Sequence, residues 1–190
     1  MSDNYSTSTL ILAGGKGSRL NGQDKGLITL KNKSLISYSI AVAPTNSRIL
    51  ASINRNIEQY SALTDECISD SDPYAGPMIA IWQAARHVTT PYLLVLPCDT
   101  PLLPHDIGER LLAPLIAGDH TASYASHNGR GHYCCMAATL QTLAGITKAP
   151  RSMRNLLDQL NAHAVEFTCE DHLFLNVNTE QDLTLAAQYL

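Results

Sequence analysis

Residues 9–27 read TLILAGGKGSRLNGQDKGL. The apolar run Thr9–Leu12 has the length and the bounding turn signals of a buried strand. It passes directly into a loop that carries Gly14, Gly15, Gly17 and Gly22 together with Lys16, Arg19 and Lys25. Glycines let backbone N–H groups close on an anion, and the cations add charge at the same place. A strand followed by such a loop predicts a phosphate site beyond the carboxyl end of that strand. Neither GxxxxGK(S/T) nor GxGxxG spacing occurs in the loop, which disfavours a P-loop NTPase and a dinucleotide-binding dehydrogenase.

Outward from this loop, short strand-like runs at Arg48–Ile53, Glu66–Ser69 and Tyr92–Leu96 alternate with helical spacing over Ser34–Ala43 and Met78–Val88. In the second helix Met78, Ile79, Ile81, Trp82, Ala85 and Val88 predict one buried stripe. Repeated strand and helix imply parallel strands joined by right-handed crossovers, with helices on both sheet faces. The expected fold is a Rossmann-like three-layer α/β/α sandwich. The second half is less regular. A helix over His105–Ala113 should be interrupted by Pro114. Ser123–Ser126 and His132–Ala137 flank Asn128-Gly129, a hairpin signal that makes the sheet mixed. Ser152–Leu160 should form a helix, and Thr179 with Asp182 has the form of a capping box before the last one. No repeat or linker appears, so residues 1–190 read as one domain with residues 1–7 as a tail.

The chain has 45% apolar and 16% charged residues, enough to fill a core, and a net charge of −4. That balance argues against a nucleic-acid partner or a polybasic membrane anchor. Yet five of its thirteen Lys and Arg lie between Lys16 and Lys33, a local positive site in an acidic protein. No apolar run approaches the ~20 residues of a membrane span, and the first eight residues lack the regions of a signal peptide. Cys67, Cys98, Cys134, Cys135 and Cys169 form an odd set without CxxC spacing, read as reduced thiols. The chain is expected to be cytoplasmic.

Leu12-Ala13-Gly14-Gly15, Ser18-Arg19 and Asp24-Lys25-Gly26-Leu27 resemble the signature loop of nucleotidyltransferases with the nucleotide-diphospho-sugar transferase fold. The Asp-Lys-Gly-Leu ending is similar to that of molybdenum cofactor guanylyltransferases, the MobA family. Further segments match in order: Ser69-Asp70-Ser71, Gly76-Pro77, Leu96-Pro97-Cys98-Asp99-Thr100-Pro101 and Asn176-Val177-Asn178-Thr179. The resemblance runs from about residue 8 to the end. It implies GMP transfer from GTP to molybdenum-molybdopterin, with residues 8–104 as the nucleotide half and 105–190 as the pterin half. Implied partners also include molybdoenzyme apoproteins, their chaperones and other cofactor-biosynthesis proteins. Fold relatives leave two alternatives: CTP-dependent transfer to the pterin or to a sugar phosphate, and a non-catalytic cofactor-delivery protein.

The resemblance names the site. Arg19, Lys25 and Asp99 are expected to be catalytic, with Asp99 as the Mg²⁺ ligand. Leu12, Ala13, Gly14, Gly15, Lys25, Ser52, Asp70 and Asp99 are expected at the nucleotide. Asn176, Asn178, Arg151 and Arg154 are expected at the pterin, the two asparagines projecting from one face of a strand end. Each has a plainer structural reading. Asp99 can cap a turn before Pro101, Asp70 can form one before Pro73, the asparagines can stabilise a turn, and the arginines can be a solvated helix face. His132 is read as structural. Three positions depart from the family pattern: Leu20-Asn21 stands for Met-Gly, Ser52 for an Asn, and Gly131-His132-Tyr133 lacks a His-Pro pair.

Overall fold

The computed structural model describes residues 6–14, 22–69, 76–146, 150 and 152–190. The opening run becomes β1 (Thr7–Leu12), followed by the small hairpin β2 (Thr29–Leu30) and β3 (Lys33–Ser34). Then come α1 (Leu35–Ala41), β4 (Ser47–Ile53), α2 (Ile57–Ser61), β5 (Glu66–Ser69), α3 (Pro77–His87) and β6 (Tyr92–Pro97). The second half holds α4 (Ile107–Ile116), β7 (Ala122–His127), β8 (Arg130–Thr139) and α5 (Leu140–Ala144). It ends with α6 (Met153–Gln159), β9 (His163–Glu166) and α7 (Glu180–Ala186). Of the expected tail, residues 1–5 lie outside the described residues, and Thr7 already opens β1.

The main sheet runs β5-β4-β1-β6-β8-β7-β9. Among its described strands only β8 runs against the rest, pairing antiparallel with β6 and β7. Strict alternation sorts each strand's apolar residues between two cores. Ile11, Ala51, Leu94, Leu96 and Ala137 face α1, α2 and α4, while Leu10, Leu50, Leu93, Val95 and Met136 face α3, α5 and α6. This is a three-layer α/β/α sandwich with a mostly parallel sheet. From β1 the chain steps outward to β4 and β5, then crosses to β6 on β1's other side. The order therefore reverses between β1 and β6, where Leu12 is paired with Pro97. Crevices at such switch points receive ligands in open α/β sheets.

Three expectations are corrected. Trp82 is half exposed rather than buried. α3 turns its small residues Ala80 and Ala84, with Ile81, onto the sheet so that the helix can lie close to it. Pro114 does not interrupt α4, which continues to Ile116. Leu111, Leu112 and Leu115 are buried beneath it, and the Ala117 N–H donates to the Ala113 oxygen (3.0 Å), so packing holds a turn that proline weakens. Asn176 and Asn178 follow a 3₁₀ turn (Asp171–Phe174) in irregular backbone and do not lie on a strand. The hairpin is as expected: Asn128 (φ 50°) and Gly129 (φ 71°) link β7 to β8 in the left-handed region that such a two-residue turn demands.

Candidate active site

At the switch point the ladder runs one residue past the strands. Ala13 N–H donates to the Ser52 carbonyl (3.0 Å) and Cys98 N–H to the Leu12 carbonyl (3.2 Å). Gly14 then leaves the sheet, its carbonyl oxygen accepting from the Asn54 side-chain amide. Ser52 itself is buried and lines the cavity.

The chain re-enters at Asp24-Lys25-Gly26-Leu27, and each of its first three residues has a distinct physical task. Asp24 accepts from the Tyr60 hydroxyl and from the Asn56 amide (2.9 Å), with Arg55 Nε at 3.6 Å. Tyr60 is fully buried. Burial, reinforced by the Asp24 carboxylate, pushes its phenol far above the ordinary range, so it remains a donor. Gly26 lies against that ring, where a Cβ would come within 2.5 Å of the phenol oxygen. With its neighbours so fixed, Lys25 points inward. Its ammonium donates to Asp99 Oδ2 (2.7 Å) and Asn178 Oδ1 (2.7 Å), and only 15% of its side chain is exposed.

Asp99 sits two residues past β6, held by a bond from the Val177 N–H to its carbonyl oxygen (2.7 Å). The Thr100 hydroxyl donates to Asn176 Oδ1 (2.6 Å) and lies 3.3 Å from Asp99 Oδ1. The C-terminal loop is thereby stitched to the end of β6.

A cavity of about 610 Å³ opens here. Leu12, Ala13, Gly14, Ser52, Gly76 and Pro77 line it on the side of β1 and α3, and Lys25 and Asp99 form part of its wall. Arg130, His132, Tyr133, Met153, Phe174 and Asn176 close the other side. Gly131 lies against the Tyr133 ring, which would have to shift to admit a Cβ there. The His132 ring stacks on Phe174, with centroids 4.1 Å apart. Burial, with the nearby Arg130, lowers its pKa, so the ring is neutral at pH 7. The cavity's thiols are poor nucleophiles: burial and the neighbouring Asp99 push Cys134 up to about 11, and Cys98 and Cys135 are raised as well.

The structure thus brings together Leu12, Ala13, Gly14, Ser52, Lys25, Asp99 and Asn176, with Asn178 directly behind Lys25. Gly15, Arg19, Asp70 and Arg151 lie outside the described residues. Arg154 is not brought to the cavity. α6 turns Met153 into it, whereas Arg154 lines a separate recess of about 250 Å³ beyond Tyr133. Arg130 and Phe174 escaped the sequence reading, which took His132 as structural and noted Gly131-His132-Tyr133 only as a departure from the family pattern. Its one available signal was the Asn128-Gly129 turn, which returns β8 toward the end of β6.

An α/β/α sheet whose switch point sets a lysine after the first strand against an acid after its neighbour is the arrangement of a nucleotidyltransferase. Among the described residues no group of three or more His, Cys, Asp or Glu could hold a metal alone, and no helix is long and apolar enough to cross a membrane. A family model described as a MobA-like NTP transferase domain matches residues 9–182. The molybdenum cofactor guanylyltransferase of Shewanella piezotolerans is 34% identical over 90% of this chain and 87% of its own. That of Photobacterium profundum is 32% identical over 97% of both. The crystal structure of molybdopterin-guanine dinucleotide biosynthesis protein A from Archaeoglobus fulgidus has a TM-score of 0.75 at 22% identity, covering 96% of this chain and 97% of its own. A CMP:2-keto-3-deoxy-manno-octonic acid synthetase complexed with CTP shares the fold at TM-score 0.73 and 17% identity, over 97% of this chain and 100% of its own. The chain belongs to the MobA-like NTP transferase family.

Proposed function

We propose that the protein transfers GMP from GTP to the terminal phosphate of molybdenum-molybdopterin, giving the guanine dinucleotide and pyrophosphate. An oxygen of the pterin phosphate forms the new bond to the α-phosphorus as the bond to the β-phosphate oxygen breaks. A phosphate is already ionised at neutral pH, so no side-chain nucleophile is needed, in keeping with the raised cysteine pKa values. What the protein must supply is alignment of two anions and relief of their repulsion.

Lys25 carries the positive charge to the triphosphate, aided by Arg19 and the amides of Gly14 and Gly15; the Ala13 amide already donates to the Ser52 carbonyl. Leu12, Ser52 and Asp70 serve the guanosine end. Asn176, with Arg130, His132, Tyr133 and Phe174, forms the acceptor side; Arg154 is left out because it faces the other recess. Asp99 is the carboxylate for Mg²⁺. A single carboxylate suits that ion, which is held largely by phosphate oxygens and water. When bound, Mg²⁺ supplies charge neutralisation on the phosphates and the leaving pyrophosphate. Five free cysteines accord with a reducing cytoplasmic setting. We place molybdoenzyme apoproteins and their chaperones downstream.

One observation carries this reading: Lys25 and Asp99, far apart in sequence, meet at 2.7 Å in the wall of a cavity at the sheet's switch point. The test is pyrophosphate release with loaded pterin and either GTP or CTP. Preference for GTP, with the guanine dinucleotide found by mass spectrometry, is expected; preference for CTP would remove the guanine assignment.

A further inference from the structure

The two asparagines of Asn176-Val177-Asn178 look equivalent in sequence but are used differently in the structure. Asn176 lines the cavity, whereas Asn178 is absent from its wall and directs Oδ1 onto the Lys25 ammonium at 2.7 Å. An ammonium only donates, so this contact fixes the amide with its oxygen toward Lys25 and its NH₂ turned away. The backbone at this point is held by three hydrogen bonds to two acceptors. Asn178 N–H and Thr179 N–H both donate to Asp182 Oδ2 (2.9 and 2.8 Å), and the preceding Val177 N–H donates to the Asp99 carbonyl. The capping box of α7 and the end of β6 therefore hold Asn178 at a fixed distance from Lys25.

We propose that Asn178 is a positioning residue that aims Lys25, and that it makes no contact with the acceptor. The proposal rests on the nucleotidyl-transfer reading of the site. Asp99 already balances the ammonium's charge. A neutral amide fixes the direction of Lys25 without adding a second negative charge where a triphosphate must bind. A carboxylate here would hold Lys25 equally well but would repel the nucleotide. Among the described residues Asp99 and Asn178 take two of the ammonium's three protons, which leaves one for a phosphate oxygen.

The experiment is a double-mutant cycle on Lys25→Ala and Asn178→Ala, read by calorimetric titration of GTP and by kcat and KM for each substrate. Asn178→Ser stands in if the alanine variant does not fold. Asn178→Ala is expected to weaken GTP binding about five- to tenfold, less than loss of the lysine itself, because the ammonium is misaimed and not removed. The acceptor KM should stay within about twofold, and the effect should vanish in the Lys25→Ala background, where nothing remains to be aimed. Asn178→Asp should fold normally yet bind GTP more weakly than wild type. Two results would overturn the assignment: a raised acceptor KM with GTP affinity intact, or an Asn178 effect that persists without Lys25. If Lys25→Ala alone leaves GTP affinity unchanged, the nucleotide reading of the cavity fails, and this proposal fails with it.

Discussion

At the scale of single residues, the decisive feature is a charge pair placed where it does little for stability. Ion pairs with partial solvent access contribute about 0–1 kcal/mol, and Lys25 and Asp99 are 15% and 25% exposed. Lys25→Ala is therefore expected to change unfolding free energy by about 1 kcal/mol or less, while weakening GTP binding by about 1–3 kcal/mol. Calorimetry and denaturant unfolding on the same preparation separate the two; equal GTP affinity in both proteins would contradict the assignment. Lys25 and Asp99 were legible because each sits inside a contiguous motif beside an apolar strand. His132, Tyr133 and Phe174 were not. Phe174 reaches the cavity through a 3₁₀ turn and His132 through the pairing of β8, and neither placement leaves a local pattern. Trp82 was misread for a related reason: periodicity identifies a helix but not which of two adjacent stripes meets the sheet.

Among the elements, the segment Asp24 to Leu27 shows how a loop is made rigid enough to hold a lysine. Its stiffness comes from α2, through Tyr60 and Asn56, and from its own 3₁₀ turn, in which Leu27 N–H donates to the Asp24 carbonyl (3.0 Å). Tyr60→Phe removes the buried hydroxyl and deprives the Asp24 carboxylate of a donor. The expected cost is about 1–2 kcal/mol in unfolding free energy, accompanied by a raised KM for GTP because Lys25 follows Asp24. A destabilised variant with an unchanged KM would mean that this anchor does not govern the lysine. The capping box of α7 was readable from Thr179 and Asp182 and is present in the structure. Thr179→Ala should cost about 1 kcal/mol by thermal or chemical unfolding. That the same box also fixes Asn178 was invisible in sequence, since it depends on β6 lying alongside.

For the molecule as a whole, the fold could be anticipated because strand and helix alternate, but the order of strands could not. Placing β8 between β6 and β7 requires tertiary pairing, and that pairing brings Arg130, His132 and Tyr133 to the cavity. It also creates a tie that no motif announced. His127, at the end of β7, has Nδ1 2.7 Å from the Phe167 carbonyl oxygen and Nε2 2.8 Å from Asp171 Oδ1. Two acceptors favour the doubly protonated ring. The carbonyl bond first, then Asp171, raise the His127 pKa above 6.5, and Asp171 is lowered from 3.8 mainly by its bond to His127. Arg110, Glu166, His132 and Cys169 also lie nearby. For His127 the stabilisation is complete below 6.5 and is lost as pH rises through the higher folded value; for Asp171 it is lost as pH falls through the lower folded value. The melting temperature of wild type relative to His127→Gln should therefore show its largest advantage below pH 6.5 and a shrinking one as pH rises above it. A difference that does not vary with pH would show that the ring acts without its charge.

The central claim is that the first loop's lysine and the acid beyond β6 hold one triphosphate between them. A crystal structure with GTP and Mg²⁺ measures this directly. The expected result is a triphosphate in the 610 Å³ cavity, with a phosphate oxygen in hydrogen-bond reach of Lys25 Nζ and the ion on Asp99. A nucleotide bound elsewhere, with the Lys25–Asp99–Asn178 contacts unchanged, would contradict the account.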